Sequence, residues 1–277
     1  MISNMQNIYS KNKKEKNNFF FKKKKILITG ATGNVGKNLA ESFAKLNCDL
    51  ILTDLDQTKL IKLSNFLLKY RVQIDVKSCN LVSNKSLNSF YKWLNKFKVI
   101  DTLINNAAYV GTSRIKNWNK EFYKQTSENW DEVFRLNLSS VFSLSQKLSN
   151  KLSKSNFPSI INISSVYSII PPKLEIYKNS KINNPAGYST SKAGLTYLTK
   201  WLAVNLASKK IRVNSISPGG IDTGQDKRFK KNYISKTLLG RMAKREDIFN
   251  SCLFLSSEMS NHITGQNIVV DGGFSIK

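Results

Sequence analysis

The sequence predicts an α/β fold: a single doubly wound Rossmann-type domain whose parallel sheet carries helices on both faces. Three observations point there. Short apolar runs alternate with segments of helical spacing from residue 25 to the end, which is the signature of βαβ units around a buried parallel sheet. A glycine-rich turn joins the first apolar run to the first helix. No repeat and no linker separates two cores, and 277 residues is compatible with one large α/β domain.

In order along the chain, strands are expected at 25–29 (KILIT), 50–53 (LILT), 73–79, 99–104 (VIDTLI), 159–163 (SIINI), 211–216 (IRVNSI) and 267–270. Helices are expected at 36–46, with Leu39, Phe43 and Leu46 on one side, and at 60–69. A third is expected at 86–97, where Phe90, Trp93, Leu94 and Phe97 form an apolar stripe, and two long ones at 128–149 and 188–207. Right-handed crossovers place such helices on both faces of the sheet. Residues 1–24 read as a basic, disordered extension, and 25–277 as the folded domain.

Bulk properties narrow the function. The formal net charge is +26, from 44 Lys and Arg against 18 Asp and Glu. Lys far outnumbers Arg, and neither a zinc-finger spacing nor an RNP-like motif is present, so the charge reads as solvated lysine and no specific nucleic-acid partner is expected. No apolar run reaches the roughly 18 residues of a membrane helix, so no membrane insertion is expected. Cys48, Cys79 and Cys252 are odd in number and far apart, which suits a reducing cytoplasm rather than a disulfide framework. The one histidine, His262, cannot build a multi-histidine metal site, and no metal is expected.

The turn reads Thr29-Gly30-Ala31-Thr32-Gly33-Asn34-Val35-Gly36. Residues without Cβ let a pyrophosphate approach backbone N–H groups at a helix N-terminus; the alternative is a plain tight β-to-α connection. Asp54 follows the second strand, 18 residues after Gly36. A carboxylate there accepts from adenosine ribose hydroxyls and repels a 2′-phosphate, so NAD(H) is the expected cofactor, with NADP(H) left open. Tyr188 and Lys192 lie one helical turn apart. A phenol near pKa 10 is a poor base at neutral pH, and a nearby ammonium would lower it. Ser164 and Ser165 end the fifth strand, where a hydroxyl can orient a substrate carbonyl.

Together these residues resemble the short-chain dehydrogenase/reductase family from about residue 25 onward. The resemblance includes Asn105-Asn106-Ala107-Ala108, Asn137 in Leu136-Asn137-Leu138, Asn162-Ile163-Ser164-Ser165, residues 218–223 (PGGIDT), and the ending from Thr264-Gly265-Gln266 through Asp271-Gly272-Gly273. It implies a catalytic group of Asn137, Ser165, Tyr188 and Lys192: a water held by Asn137, substrate oxygen on Ser165, proton exchange at Tyr188, tuning by Lys192. It also implies cofactor contacts from Gly30, Thr32, Gly33, Asn34, Val35, Gly36, Asp54, Asn80, Asn106, Ala107, Tyr188, Lys192, Pro218, Gly219, Ile221 and Thr223, and a homotetramer or homodimer packed through the two long helices.

Three departures stand out. Asn34 occupies the usual middle glycine position, Ala108 the last glycine of NNAG, and Asn80 a usual Asp. Ser165 and Tyr188 are 23 residues apart, more than is usual in the family, so an insert lies between them. That pattern resembles a bacterial subgroup linked to surface-sugar and flagellin-modifying sugar synthesis, which implies a small-molecule, sugar or sugar-phosphate substrate contacted by Lys173, Glu175, Tyr177, Lys178 and Lys181. Two alternatives remain: a 3-oxoacyl-thioester reductase of the same family, and a non-catalytic, nicotinamide-binding regulatory protein.

Overall fold

The computed structural model describes residues 21–110, 113, 118, 120–178 and 183–277. Seven parallel strands form one sheet: β1 (Lys25–Thr29), β2 (Asp49–Thr53), β3 (Ile74–Val76), β4 (Thr102–Asn105), β5 (Ser159–Ile163), β6 (Arg212–Pro218) and β7 (Asn267–Val270). Their spatial order is β3-β2-β1-β4-β5-β6-β7, and every neighbouring pair is parallel. The order reverses between β1 and β4, which opens a crevice beyond the carboxyl ends of those two strands.

Both faces of the sheet are covered, and the strand sequences show why. Ile26 and Ile28 enter one core while Leu27 enters the other; Leu50 and Leu52 divide from Ile51 in the same way. Alternate side chains point to opposite faces, so a strand buried on both sides must be apolar throughout. The first core receives Leu39, Ala40 and Phe43 of α1 (Asn34–Lys45) and Leu60, Leu63 and Leu67 of α2 (Gln57–Leu67). The second receives Leu87, Phe90 and Leu94 of α3 (Asn84–Leu94). Helix starts follow local chemistry: Asp56 accepts from Lys59 N to open α2, and Ser83 from Ser86 N to open α3.

The expected helix over 128–149 is three pieces: α4 (Ser127–Phe134), a π-helical turn (Arg135–Ser139), and α5 (Ser140–Leu152). Residue spacing alone does not reveal a π turn, because its cause is a long-range contact described below. α6 (Ala186–Leu206) matches the second long helix. Two helices went unassigned in the sequence, α7 (Lys227–Ser235) and α8 (Arg245–Leu255). α8 joins the first core through Ile248, Cys252 and Leu255. All three cysteines are buried free thiols.

The domain boundary also differs from expectation. Phe21 is fully buried in the first core and packs on Phe43, with ring centres 6.3 Å apart. Cys48 Sγ donates to Phe21 O, and Lys23 N donates to Asn47 O at 2.8 Å. Residues 21–24 therefore pack with the domain rather than with an extension; the rest of the expected extension lies outside the described residues. A third, smaller cluster of Val166, Ile176, Phe229, Tyr233, Met242 and Phe274 sits apart from the two sheet cores. It gathers the insert, α7 and the last turn of the chain around one aromatic group.

Candidate active site

The crevice is stitched at its base by the turn after β1 and the turn after β4. Thr29 Oγ1 accepts from Asn106 N and from Ala107 N, both at 3.0 Å. Asn106 Nδ2 donates back to Thr29 O and Gly30 O at 2.9 and 3.0 Å. Gly30 has φ +63°, and a Cβ there would lie 2.8 Å from Ala107 Cα. A Cβ at Gly36 would lie 2.1 Å from Gly30 O. Both positions require glycine, for conformation and for close approach. Gly33 is the N-cap of α1 and supplies no side-chain cap, so the first N–H groups at Asn34 and Val35 face outward at a helix N-terminus. This cradle fits a dinucleotide pyrophosphate.

Asp54 lies at the carboxyl end of β2, but its carboxylate is already engaged. Oδ2 accepts from Thr32 N at 2.8 Å and Thr32 Oγ1 at 2.7 Å, while Oδ1 accepts from Leu55 N at 2.7 Å. The carboxylate thus ties the glycine turn to the second strand. Asn80 is exposed, and its amide oxygen accepts from Val82 N at 3.1 Å. On the far side of the crevice, Pro218 ends β6 and Gly219 N donates to Val270 O at 3.0 Å. A Cβ on Gly219 would meet Tyr233 Oη at 2.7 Å. Ile221 pairs with Ala243 in an isolated bridge, and Thr223 N donates to Gln225 Oε1 at 2.9 Å.

The four expected catalytic residues come from three elements. Asn137 sits in the π turn and is buried. Its Oδ1 accepts from Tyr109 N at 2.8 Å, and its Nδ2 donates to Tyr109 O at 3.1 Å and Ser191 Oγ at 3.0 Å. The widened turn gives Asn137 these three partners, which explains the break in the long helix. Ser165 follows β5, is 5% exposed, and accepts from Tyr167 N at 3.2 Å. Tyr188 and Lys192 lie on α6 with Lys192 Nζ 6.0 Å from the tyrosine ring centre. Lys192 Nζ donates to Ile163 O at 2.6 Å, and Lys192 O accepts from Ser164 Oγ at 3.0 Å. These bonds hold α6 against the end of β5.

The electrostatics differ from the simple expectation. Burial raises the Tyr188 phenol above its usual range, and the facing Ser165 hydroxyl pulls in the other direction. Burial brings Lys192 down to about 7, so near neutral pH it is only partly charged. At Tyr188 the counterweight to burial is the Ser165 hydroxyl, while the nearby Lys192 amine is itself desolvated and donates to the Ile163 carbonyl.

A ring of aromatic hydroxyls lies beside Tyr188, of which sequence reasoning named Tyr177 and missed Tyr167 and Tyr233. Tyr177 Oη donates to Tyr167 Oη at 2.6 Å, and the Tyr177 ring lies 5.7 Å from Phe229. Tyr233 stacks on Phe274 with centres 4.3 Å apart and planes 1° apart, and its hydroxyl accepts from Gly220 N. Asn184, nine-tenths buried, accepts from Ser189 Oγ at 3.0 Å; its amide faces the Tyr177 hydroxyl, and its Nδ2 makes no close hydrogen bond among the described residues. Tyr167, Tyr233 and Asn184 come from separate segments, so no local spacing joins them. Of the insert's expected ligands, Lys173 is committed elsewhere, donating to Phe274 O at 2.9 Å and to Lys277 O. Lys181 lies outside the described residues. Among the described residues, no group of His, Cys, Asp and Glu could hold a metal.

Known proteins share this architecture. The family model described as Enoyl-(Acyl carrier protein) reductase matches residues 30–275. The chain is 33% identical over 256 residues to the 3-oxoacyl-[acyl-carrier-protein] reductase FabG of Aquifex aeolicus, covering 89% of this chain and 95% of that protein. It is 31% identical over 254 residues to the Post-translational flagellin modification protein A of Campylobacter coli, covering 91% and 98%. A crystal structure of a short chain dehydrogenase from Leptospira borgpetersenii with bound NAD+ superposes with a TM-score of 0.79 at 32% identity, covering 94% and 95%.

Proposed function

This chain belongs to the short-chain dehydrogenase/reductase family, and from that premise we propose that it interconverts a hydroxyl and a carbonyl on a sugar or sugar phosphate, with NAD(H) as the preferred cofactor. The family makes it an oxidoreductase acting on CH–OH groups with a nicotinamide cofactor. The observation that carries the reading is the convergence of Ser165, Tyr188, Lys192 and Asn137 beside a glycine cradle at the strand-order reversal.

The cofactor would lie over Gly30, Thr32, Gly33, Asn34, Val35 and Gly36, with Asn106, Ala107, Pro218, Gly219, Ile221 and Thr223 toward its nicotinamide end and Asn80 toward its adenine. Bound there, it supplies or accepts the hydride. In the reducing direction Ser165 donates a hydrogen bond to the substrate carbonyl oxygen, and Tyr188 gives that oxygen its phenolic proton. In the oxidising direction the same proton returns from the alcohol to Tyr188. Lys192 steadies the phenolate with whatever charge it carries, and Asn137 orients solvent that restores the proton. Asp54 disfavours a 2′-phosphate both by charge and by fixing Thr32.

The sugar reading is supported by the hydroxyl and amide groups of Tyr167, Tyr177 and Asn184 beside Tyr188 and by likeness to the flagellin modification protein. A second reading, 3-oxoacyl-thioester reduction, is favoured by the likeness to the Aquifex protein. Steady-state turnover of a panel of sugars, sugar phosphates and a 3-oxoacyl thioester, with NAD(H) and NADP(H), separates them. Turnover confined to the thioester would overturn the sugar reading.

We propose a cytoplasmic homotetramer or homodimer built on α5 and α6. Phe142, Tyr197, Trp201 and Val204 lie exposed on these helices, with Phe142 and Trp201 rings 6.2 Å apart. Among the described residues, no helix is long and apolar enough to cross a membrane.

A further inference from the structure

The insert and α7 enclose an open cleft of about 320 Å³. Lys178, Arg228 and Lys236 line it with one carboxylate, Glu175, and two neutral polar groups, Asn232 and Ser235. α7 is built for this. Phe229 and Tyr233 turn into the aromatic cluster, while Arg228, Asn232 and Ser235 share the other face at helical spacing.

The charges in the cleft do not balance. Lys236 pairs with Glu175 at 3.7 Å, and the neighbouring Lys230 is taken by Asp222 at 2.7 Å. Lys178 and Arg228 have no acidic partner among the described residues, so the cleft holds three cations against one carboxylate. Like charges converging on one cavity favour a bound anion. A phosphate carries close to the two charges in excess, and a guanidinium fork matches its oxygens. The cleft lies across α7 from the aromatic cluster, and the insert joins it to the reacting centre. Ile176 lines it, and the next residue in the same turn, Tyr177, bonds to Tyr167, two residues beyond Ser165.

We propose that this cleft binds the phosphate of a phosphorylated substrate whose carbonyl or alcohol lies at Ser165 and Tyr188. The proposal rests on the sugar reading for what the phosphate is attached to, but binding itself requires no turnover, so the two fail separately. A monoester and a diphosphate-linked sugar would present the same chemistry here.

The test is calorimetric titration of the full-length protein, saturated with NADH so that the cofactor's own phosphate site is filled, with inorganic phosphate and with pyrophosphate. Saturable binding is expected, weakened about tenfold in Lys178→Gln/Arg228→Gln. A control, Lys92→Gln/Lys154→Gln, removes the same charge from exposed positions elsewhere and should change affinity less than about twofold. Pyrophosphate binding about tenfold tighter than phosphate indicates a diphosphate-linked substrate; equal affinities indicate a monoester. Absence of saturable binding, or equal weakening in both double variants, overturns the proposal, since the protein's general positive charge would then account for the effect.

Discussion

The two sides of the crevice are built on different principles. On the cofactor side, nearly every polar group near the glycine turn is spent on another: Thr29 on Asn106 and Ala107, Asp54 on Thr32 and Leu55. The proposed substrate side is held by an aromatic cluster of Tyr167, Tyr177, Phe229, Tyr233 and Phe274, with the Asn184 amide and, among the described residues, cations without an acidic partner at Lys178 and Arg228. A pre-bonded frame suits a ligand that never changes its backbone contacts. A packed apolar base with spare polar groups at its rim suits a ligand whose identity can vary between relatives. Helix α6, which carries Tyr188 and Lys192, is tied to the end of β5 through Ser164 and Ile163.

The sharpest test of that division is at the boundary itself. Tyr188→Phe removes only the proton carrier, so turnover should fall by about 10³-fold while NAD(H) affinity, read by direct titration, stays within about twofold. Near-normal turnover would move the acid/base elsewhere.

Lys192 gives a second test through pH. Burial lowers its pKa from 10.5 to about 7, so between those values the unfolded chain keeps a proton that the folded chain has released. Stability should therefore rise with pH across that window, by a few kcal/mol in total, on the order of 1.4 for each pH unit. Lys192→Met removes this term. Its thermal stability relative to wild type should be greatest near pH 6 and decline steadily toward pH 10; a difference that does not vary with pH would show the amine is not desolvated.

Smaller effects separate the two sides. Asp54→Ala should weaken NAD(H) binding about tenfold and narrow its advantage over NADP(H), because the change releases Thr32 and removes a repelling charge together. Strong NADP(H) preference in the wild type would contradict the role given to Asp54. Tyr177→Phe should raise KM about threefold on the best screened substrate and leave NAD(H) affinity unchanged, since only a rim hydroxyl is lost. A matching loss of cofactor affinity would mean the two sides are not independent.

The contrast also explains what the sequence made legible. The glycine turn could be read because Gly30 and Gly36 answer to local constraints, a left-handed φ and a backbone contact that any Cβ would violate. The strands could be read because burial on both faces demands continuous apolar runs. The π turn could not be, since Asn137 earns it through Tyr109 and Ser191, remote in sequence. Phe21 looked like part of a polar tail because a short run of three phenylalanines between Asn and Lys residues carries no period. The aromatic cluster and the basic cleft escaped for the same reason: each is assembled from segments whose proximity only folding creates. Lys173 illustrates the hazard, for its charge suggested a ligand contact, yet it holds backbone carbonyls at Phe274 and Lys277.

The bond between Asp54 and Thr32 bears on how such a protein can change by mutation. If Asp54 selects the cofactor as proposed, it also braces the loop beneath it and cannot be exchanged for one property alone. Redesign toward NADP(H) at position 54 would shift Thr32 as well, so the effect of any replacement should depend on the residue at position 32, and the two substitutions should combine non-additively in a double-mutant cycle. An engineer, or natural drift, would then find the cofactor switch only along paths that alter both positions.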